Sequence, residues 1–229
     1  MEYWKNYFNN PDNIGNDNFQ QNVGRTKNGV PVSNTIWKDT IDYLIKKLHP
    51  NKEDSKILEL CCGNGQIIGN LAPECKIAVG VDYSEELLNQ LKHQFGESVK
   101  TINSDVLTVN FDPEFFDIII VYFAIQHFKE KETIQLIHNA LPWLKKGGKI
   151  YIGDIPNELK KWEYLNKPEY KKDFIKRILN ENPKIGNWFQ PKFFLALSDF
   201  FEGISVKILK QPSSQINSQY RFDVLISKK

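Results

Sequence analysis

From Lys56 to Asp154 the chain repeats one unit, an apolar run followed by a helical pattern, and that repeat constrains its fold most. "KILELC" leads into a helix opening at "NGQIIGNLA", and "KIAVGVD" into the amphipathic "SEELLNQLKHQF", capped by Ser84 with Glu85 or Glu86 in its first turn. "VKTINSD" is followed by a loop and the run "FDIIIVYFA". Helix "KEKETIQLIHNALPWL", the turn "KKGG" and strand "KIYIGD" complete the series. Strands that are apolar throughout are buried on both faces, and strands separated by helices run parallel. The expectation is therefore an α/β fold with a mostly parallel sheet.

A further helix precedes the series in "SNTIWKDTIDYLIKKL", with Ile36, Ile41, Leu44, Ile45 and Leu48 at helical spacing and His49-Pro50 closing it. After Asp154 the rhythm breaks. Residues 156–190 are polar and aromatic, holding Trp162, Tyr164, Tyr170, Phe174, Trp188 and Phe189. A helix, "PKFFLALSDFF", then leads to "ISVKILKQ" and "YRFDVLISK", close enough to pair as an antiparallel hairpin at a sheet edge. Residues 1–34 are polar and irregular, with one short aromatic helix near Trp4 to Phe8. We expect a single domain over 1–229, with 1–34 as an N-terminal lid and 156–190 as an inserted cap.

The first strand ends in "ILELCCGNGQ". Gly63 and Gly65 stand where the backbone must turn sharply and approach a ligand. Asp82 ends the second strand nineteen residues after Gly63, the spacing at which an acid accepts from both hydroxyls of a ribose. A dinucleotide site would carry a third glycine where Ile68 stands. Glu59 repels a pyrophosphate but suits a cationic amine. S-adenosylmethionine, with a sulfonium, an amino-acid end and a ribose but no phosphate, fits this set.

Taken in order, "ILELCCGNGQ", "VGVDYSEELL", "INSDVL", "FDIIIVYFAIQHF" and "LKKGGKIYIGD" strongly resemble the class I S-adenosylmethionine-dependent methyltransferases over roughly residues 35 to 155. The resemblance implies a three-layer, doubly wound, seven-stranded sheet of order 3-2-1-4-5-7-6 with a C-terminal antiparallel hairpin. It implies S-adenosyl-L-methionine as cofactor and S-adenosyl-L-homocysteine as product. Carried over by position, Glu59, Cys61, Gly63 and Gly65 form the cofactor loop and Asp82 holds the ribose. Tyr83 lies near the adenine, Asp105 accepts from its amino group, and the Val106 N–H meets the ring. Tyr122 and Phe123 flank the methionine side. Cys61 departs from the pattern, since glycine is usual there, whereas Cys62 stands where the family often has cysteine.

Several residues keep two readings. The cysteine pair either packs beside the cofactor or does metal or redox work, but the four histidines are far along the chain and only Cys75 remains, so no metal is expected. Asp82 and Asp105 either contact the cofactor or cap the following segments. His127 is either the base that takes the acceptor's proton or a structural group at a helix start. Arg25 and Lys27 either grip an anionic acceptor or sit in a solvated loop. Trp162 and Trp188 either line an acceptor pocket or pack the cap, and Asp154 either faces the acceptor or caps a turn.

The acceptor follows by subtraction. The Asn/Asp-Pro-Pro-aromatic turn of enzymes that methylate adenine or amide nitrogens in macromolecules is absent where "VYFAIQ" stands, and the Pro-Cys of cytosine-C5 enzymes and the paired glutamates of arginine enzymes are missing. A net charge of +2 shows no basic stripe for nucleic acid. The expectation is methyl transfer to an oxygen or nitrogen of a small molecule, with no nucleic-acid or membrane partner. The rivals are an RNA or protein methyltransferase and a non-catalytic cofactor-binding module. The longest apolar stretch, "FFDIIIVYFAI", is broken by Asp117 and falls short of the roughly 20 residues that cross a bilayer. With three cysteines and no export signal in "MEYWKNYFNNPDN", a cytoplasmic protein is expected.

Overall fold

The apolar runs form strands and the periodic segments between them form helices, as a computed structural model of residues 2–15, 18–27, 30–180 and 186–229 shows. Seven strands make the main sheet: β1 (Lys56–Leu60), β2 (Ile77–Asp82), β3 (Lys100–Asn103), β4 (Phe116–Tyr122), β5 (Leu144–Pro156), β6 (Ile204–Lys210) and β7 (Arg221–Lys228). Their order is β3-β2-β1-β4-β5-β7-β6, with β1 to β5 parallel and β7 antiparallel to both neighbours. This is the expected order and hairpin.

Ten helices accompany the sheet among the described residues: α1 (Glu2–Phe8), α2 (Pro11–Ile14), α3 (Phe19–Asn22), α4 (Asn34–Leu48), α5 (Ile68–Leu71), α6 (Glu85–Phe95), α7 (Glu130–Trp143), α8 (Lys161–Tyr164), α9 (Pro168–Leu179) and α10 (Pro191–Phe200). Ser33 and Ser84 cap α4 and α6 by accepting from the N–H of Ile36 and Leu87. His49 ends α4 in a left-handed conformation.

Side-chain alternation along each strand divides the core in two. Leu58, Val79, Ile119, Val121, Ile150 and Ile152 face α7 and α10 on one side. Ile57, Ala78, Ile118, Ile120 and Tyr151 face α4, α5 and α6 on the other.

Two details differ from the expected pattern. The "KKGG" stretch is not a turn before β5 but a bulge within it. Leu144 pairs with Phe116 and Lys149 with Ile118, so four residues loop out, with Gly147 at φ 75°. The helix after the first strand is one turn long, then tightens into a 3-10 turn at Ala72–Glu74, where Pro73 enters.

The N-terminal segment lies on the carboxyl edge of the sheet. Four of its backbone carbonyls, those of Trp4, Phe8, Ile14 and Phe19, accept from the side chains of Tyr83, Ser84, Gln90 and Asn64. The 156–190 region is sewn down at its two ends instead: Asn157 bridges Phe189, and the Asn187 N–H donates to the Gln126 carbonyl at 2.7 Å. Residues 1, 16–17 and 28–29 of the expected lid, 181–185 of the expected cap, and the Lys27 side chain lie outside the described residues.

Candidate active site

The loop after β1 is built from residues that tolerate a sharp turn. Cys61 (φ 60°), Gly63 (φ 52°) and Gly65 (φ 77°) all have left-handed backbones, a region costly for any residue but glycine. The Cys62 N–H donates to the Val81 carbonyl at 3.0 Å and ties the loop to β2. A Cβ on Gly63 would come within 2.9 Å of Val23 in the lid, and one on Gly65 within 2.5 Å of Leu91 on α6. Gly63 thus lets the backbone run under the lid, while Gly65 lets the loop pack on α6 and does not line the cleft.

The cleft so formed encloses a cavity of about 90 Å³, below the roughly 300–1,000 Å³ common for small-molecule sites, with Trp4, Lys5 and Phe8 of the lid lining it. It follows the carboxyl ends of β1 to β4, where open α/β sheets bind ligands. One end holds Asp82, Tyr83, Asp105 and Val106. The other holds Arg25, Tyr122, Phe123 and His127, and Glu59 and Cys61 lie between.

Three acids from three adjacent strand ends converge here. Asp82 is 5% exposed and accepts from the N–H of Gly63 at 2.8 Å and of Ser84 at 2.9 Å. Glu59 is 2% exposed and accepts from the Ile68 N–H at 2.9 Å, capping α5. Burial pushes both carboxyls above their ordinary range, against the pull of those N–H groups. Neither has an ion-pair partner among the described residues. Buried carboxylates without a counter-ion suit a ligand that brings hydroxyl donors and positive charge, and repel a diphosphate. The residues therefore fit S-adenosylmethionine. Burial also raises Asp105, but the hydrogen bond from Lys5 (2.6 Å), the Leu107 N–H and the Lys5 charge outweigh it and hold this carboxyl low.

The lid supplies residues the sequence reading did not single out for the cleft. Trp4, Lys5, Phe8 and Val23 line it, and the Trp4 ring centroid lies 4.2 Å from that of His127. Their sequence signal was the i, i+4 spacing of Trp4 and Phe8 on one short helix. His127 is enclosed, its Nδ1 buried with no partner, and burial followed by the nearby Arg221 charge pushes its pKa down to about 3. The imidazole is neutral at pH 7. Cys61 and Cys62 are free thiols, raised well above their ordinary pKa by burial, so they are inert as thiolates. Among the described residues no group of three or more His, Cys, Asp or Glu could hold a metal.

At the far end stands a buried polar network. β5 and β7 change register between Ile152 and Ile155, and Asp154 sits in that irregularity with φ 62°. Its N–H donates to Asp223 on β7, and its carboxylate pairs with Arg25 at 3.2 Å. Arg221 donates to the Asp154 carbonyl and to Gln126 Oε1, and Tyr151 donates to Asp223. The Phe123 ring meets both guanidinium groups, at 4.2 Å from Arg25 and 4.8 Å from Arg221. Gln126, Arg221 and Asp223 went unnoticed in the sequence, although Arg221 and Asp223 share one strand face by the period of two, a signal of buried pairing.

Four expected acceptor contacts change on this evidence. Arg25 lines the cleft but is no free arm, being 7% exposed and bound to Asp154. Asp154 is 3% exposed and serves the network beneath the cleft instead of lining it. Trp162 is 57% exposed and packs edge-on against Phe174, outside the cleft. Trp188 belongs to a ring cluster with Tyr164 and Tyr220, also outside it. The backbone of Lys27 pairs antiparallel with that of Val30.

Comparisons with known proteins agree with this geometry. Residues 57–148 match a family model described as a methyltransferase domain. An uncharacterised methyltransferase of Geobacillus sp. (strain WCH70) is 28% identical over 104 residues, 45% of this chain and 49% of that protein. A ubiquinone biosynthesis O-methyltransferase of Coxiella burnetii is 29% identical over 111 residues, 47% of each. The chain thus spans about half the length of these curated relatives. Among solved structures, the plantazolicin methyltransferase BpumL in complex with SAH superposes with a TM-score of 0.63 at 14% identity, over 99% of this chain and 96% of that one. At that identity the likeness shows the fold.

Proposed function

From a chain that carries a class I S-adenosylmethionine-dependent methyltransferase domain, we propose an enzyme that moves a methyl group to an oxygen or nitrogen of a small-molecule acceptor. The observation that carries this reading is the convergence of Glu59, Asp82 and Asp105 in one cleft whose other end is aromatic. S-adenosyl-L-methionine supplies the electrophilic methyl and leaves as S-adenosyl-L-homocysteine. The chain's part is to bind, orient and exclude water.

Asp82 accepts from the ribose hydroxyls with lone pairs that Gly63 and Ser84 leave open. Asp105, once freed from Lys5, accepts from the adenine amino group, beside Tyr83 and the Val106 N–H. Glu59, Cys61 and the turn at Gly63 hold the cofactor's amino-acid end, while Tyr122 and Phe123 flank the reacting side. Arg25, braced by Asp154, meets an anionic group of the acceptor at the cleft wall. His127 accepts the acceptor's proton at its unpartnered Nδ1, a role that requires Trp4 to move aside and so relieve the burial that holds this imidazole's pKa at about 3. The C. burnetii relative's name, an O-methyltransferase, supports an oxygen acceptor.

Calorimetry with S-adenosylmethionine tests the premise. Wild type should bind, and Asp82→Ala should lose on the order of 100-fold in affinity, as two hydrogen bonds to a charged group are removed. No binding by wild type, or undiminished binding by the variant, sinks the reading. Once a metabolite screen identifies an acceptor, His127→Ala should lower kcat by roughly 100-fold or more with cofactor affinity intact. A near-normal rate removes His127 as the base.

A further inference from the structure

We infer that the outer face of α9, with Trp162 beside it, docks this chain onto an anionic lipid surface. Nine large hydrophobic residues are exposed among the described residues, and six of them, Leu159, Trp162, Tyr170, Ile175, Ile178 and Leu179, fall within one stretch of the cap. No residue of α9 is buried, so the helix contributes nothing to either core. Apolar side chains gathered in this way mark a contact surface.

The helical period sorts α9 into two sides. Asp173, Phe174 and Arg177 are its half-buried residues; Phe174 meets Trp162, and Arg177 pairs with Asp173 at 2.8 Å. The opposite arc carries Ile175, Ile178 and Leu179 interleaved with Lys171, Lys172 and Lys176, all exposed. One acid, Glu169, stands at its margin, one turn before Lys172, against the three lysines. Lys161 folds over the Phe174 ring at 4.7 Å, continuing the mixed basic and apolar surface onto α8. Residues 157–180 hold seven Lys or Arg against four Asp or Glu, a surplus larger than the net charge of the whole chain.

Aliphatic side chains flanked by lysines, with a tryptophan at the margin, are the composition of a helix that lies in a membrane interface. Such a helix spans nothing, so the lack, among the described residues, of any helix long and apolar enough to cross a membrane does not bear on it. Charge chooses the occupant. A second copy would set lysine against lysine, whereas an anionic leaflet attracts each lysine by about a fivefold gain in partition.

The test is sedimentation of the full chain with vesicles of phosphatidylglycerol or of phosphatidylcholine. The chain should pellet with phosphatidylglycerol, not with phosphatidylcholine, and the binding should weaken as salt rises. Lys171→Glu/Lys172→Glu/Lys176→Glu should lower the partition by on the order of 100-fold. A charge-matched control, Lys52→Glu/Lys92→Glu/Lys100→Glu, should lower it only a few-fold. Ile178→Ser/Leu179→Ser should weaken binding by about tenfold and decides the matter if the triple variant does not fold. S-adenosylmethionine affinity, measured separately, should be the same in both cap variants. Failure to pellet with phosphatidylglycerol, equal losses in cap and control, or binding to polyglutamate in place of vesicles would overturn the assignment.

Discussion

The lid and the cap both decorate the carboxyl edge of the sheet, yet they turn their apolar residues in opposite directions. The lid buries Ile14 completely, points Trp4 and Phe8 into the cleft, and has four carbonyls held by side chains of the body. The cap is fixed at its ends while α9 keeps Ile175, Ile178 and Leu179 in solvent. Similar compositions thus serve two purposes: one segment answers to what fills the cleft, the other to what lies outside the molecule. What separates them is whether body side chains reach out to meet the segment's backbone.

An identical cut in each region should break or uphold this contrast most strongly. Ile14→Ala should cost about 3 kcal/mol of lid docking, read from hydrogen exchange of the lid amides, because a fully buried side chain leaves a cavity. Ile178→Ala should stay within about 0.5 kcal/mol, since that side chain is 57% exposed. Comparable losses at both sites would erase the distinction.

Acid offers the next largest effect. His127 sits under the lid with its pKa lowered to about 3, so the folded chain binds fewer protons than the unfolded one. Its contribution to stability is complete above the unfolded value near 6.5 and is lost as pH falls toward 3. Between pH 7 and pH 5 wild type should lose about 2 kcal/mol more than His127→Phe in urea unfolding, since the buried acids Glu59, Asp82 and Asp223, whose pKa values burial raises, act the opposite way in both proteins. Residues 157–180 contain no histidine, so vesicle binding should not share this step.

The smallest effect belongs to Lys5. Its ion pair with Asp105 is partly solvated, with side chains 38% and 28% exposed, and is worth no more than about 0.5 kcal/mol. Lys5→Ala should therefore raise S-adenosylmethionine affinity by only about twofold in calorimetry.

Local pattern made the seven strands, Glu59 and Asp82 legible before any coordinates, and the family resemblance supplied the strand order and Asp105. The apolar runs of β1 to β5 report burial on both faces, and Gly63 and Asp82 report a turn and a strand end, all properties of short windows. What escaped depends on partners far along the chain. Tyr83 reaches Trp4 across 79 residues, Lys5 reaches Asp105 across 100, and Arg221 reaches Gln126 across 95. Trp162 misled for a related reason: an aromatic residue in a polar insertion looks the same whether it faces inward or out. Cys61 was visible as a departure from glycine, but its left-handed backbone became evident only in the folded loop.

The grip of Lys5 on Asp105 and of Tyr83 on Trp4 has a consequence in time. Each of those contacts holds a group that the cofactor would need, so entry becomes an exchange, not an addition to an open site. A rapid-mixing experiment should accordingly find an observed association rate that climbs with S-adenosylmethionine concentration and then levels off at the opening rate of the lid. Such a plateau would make the first eight residues the clock of this molecule.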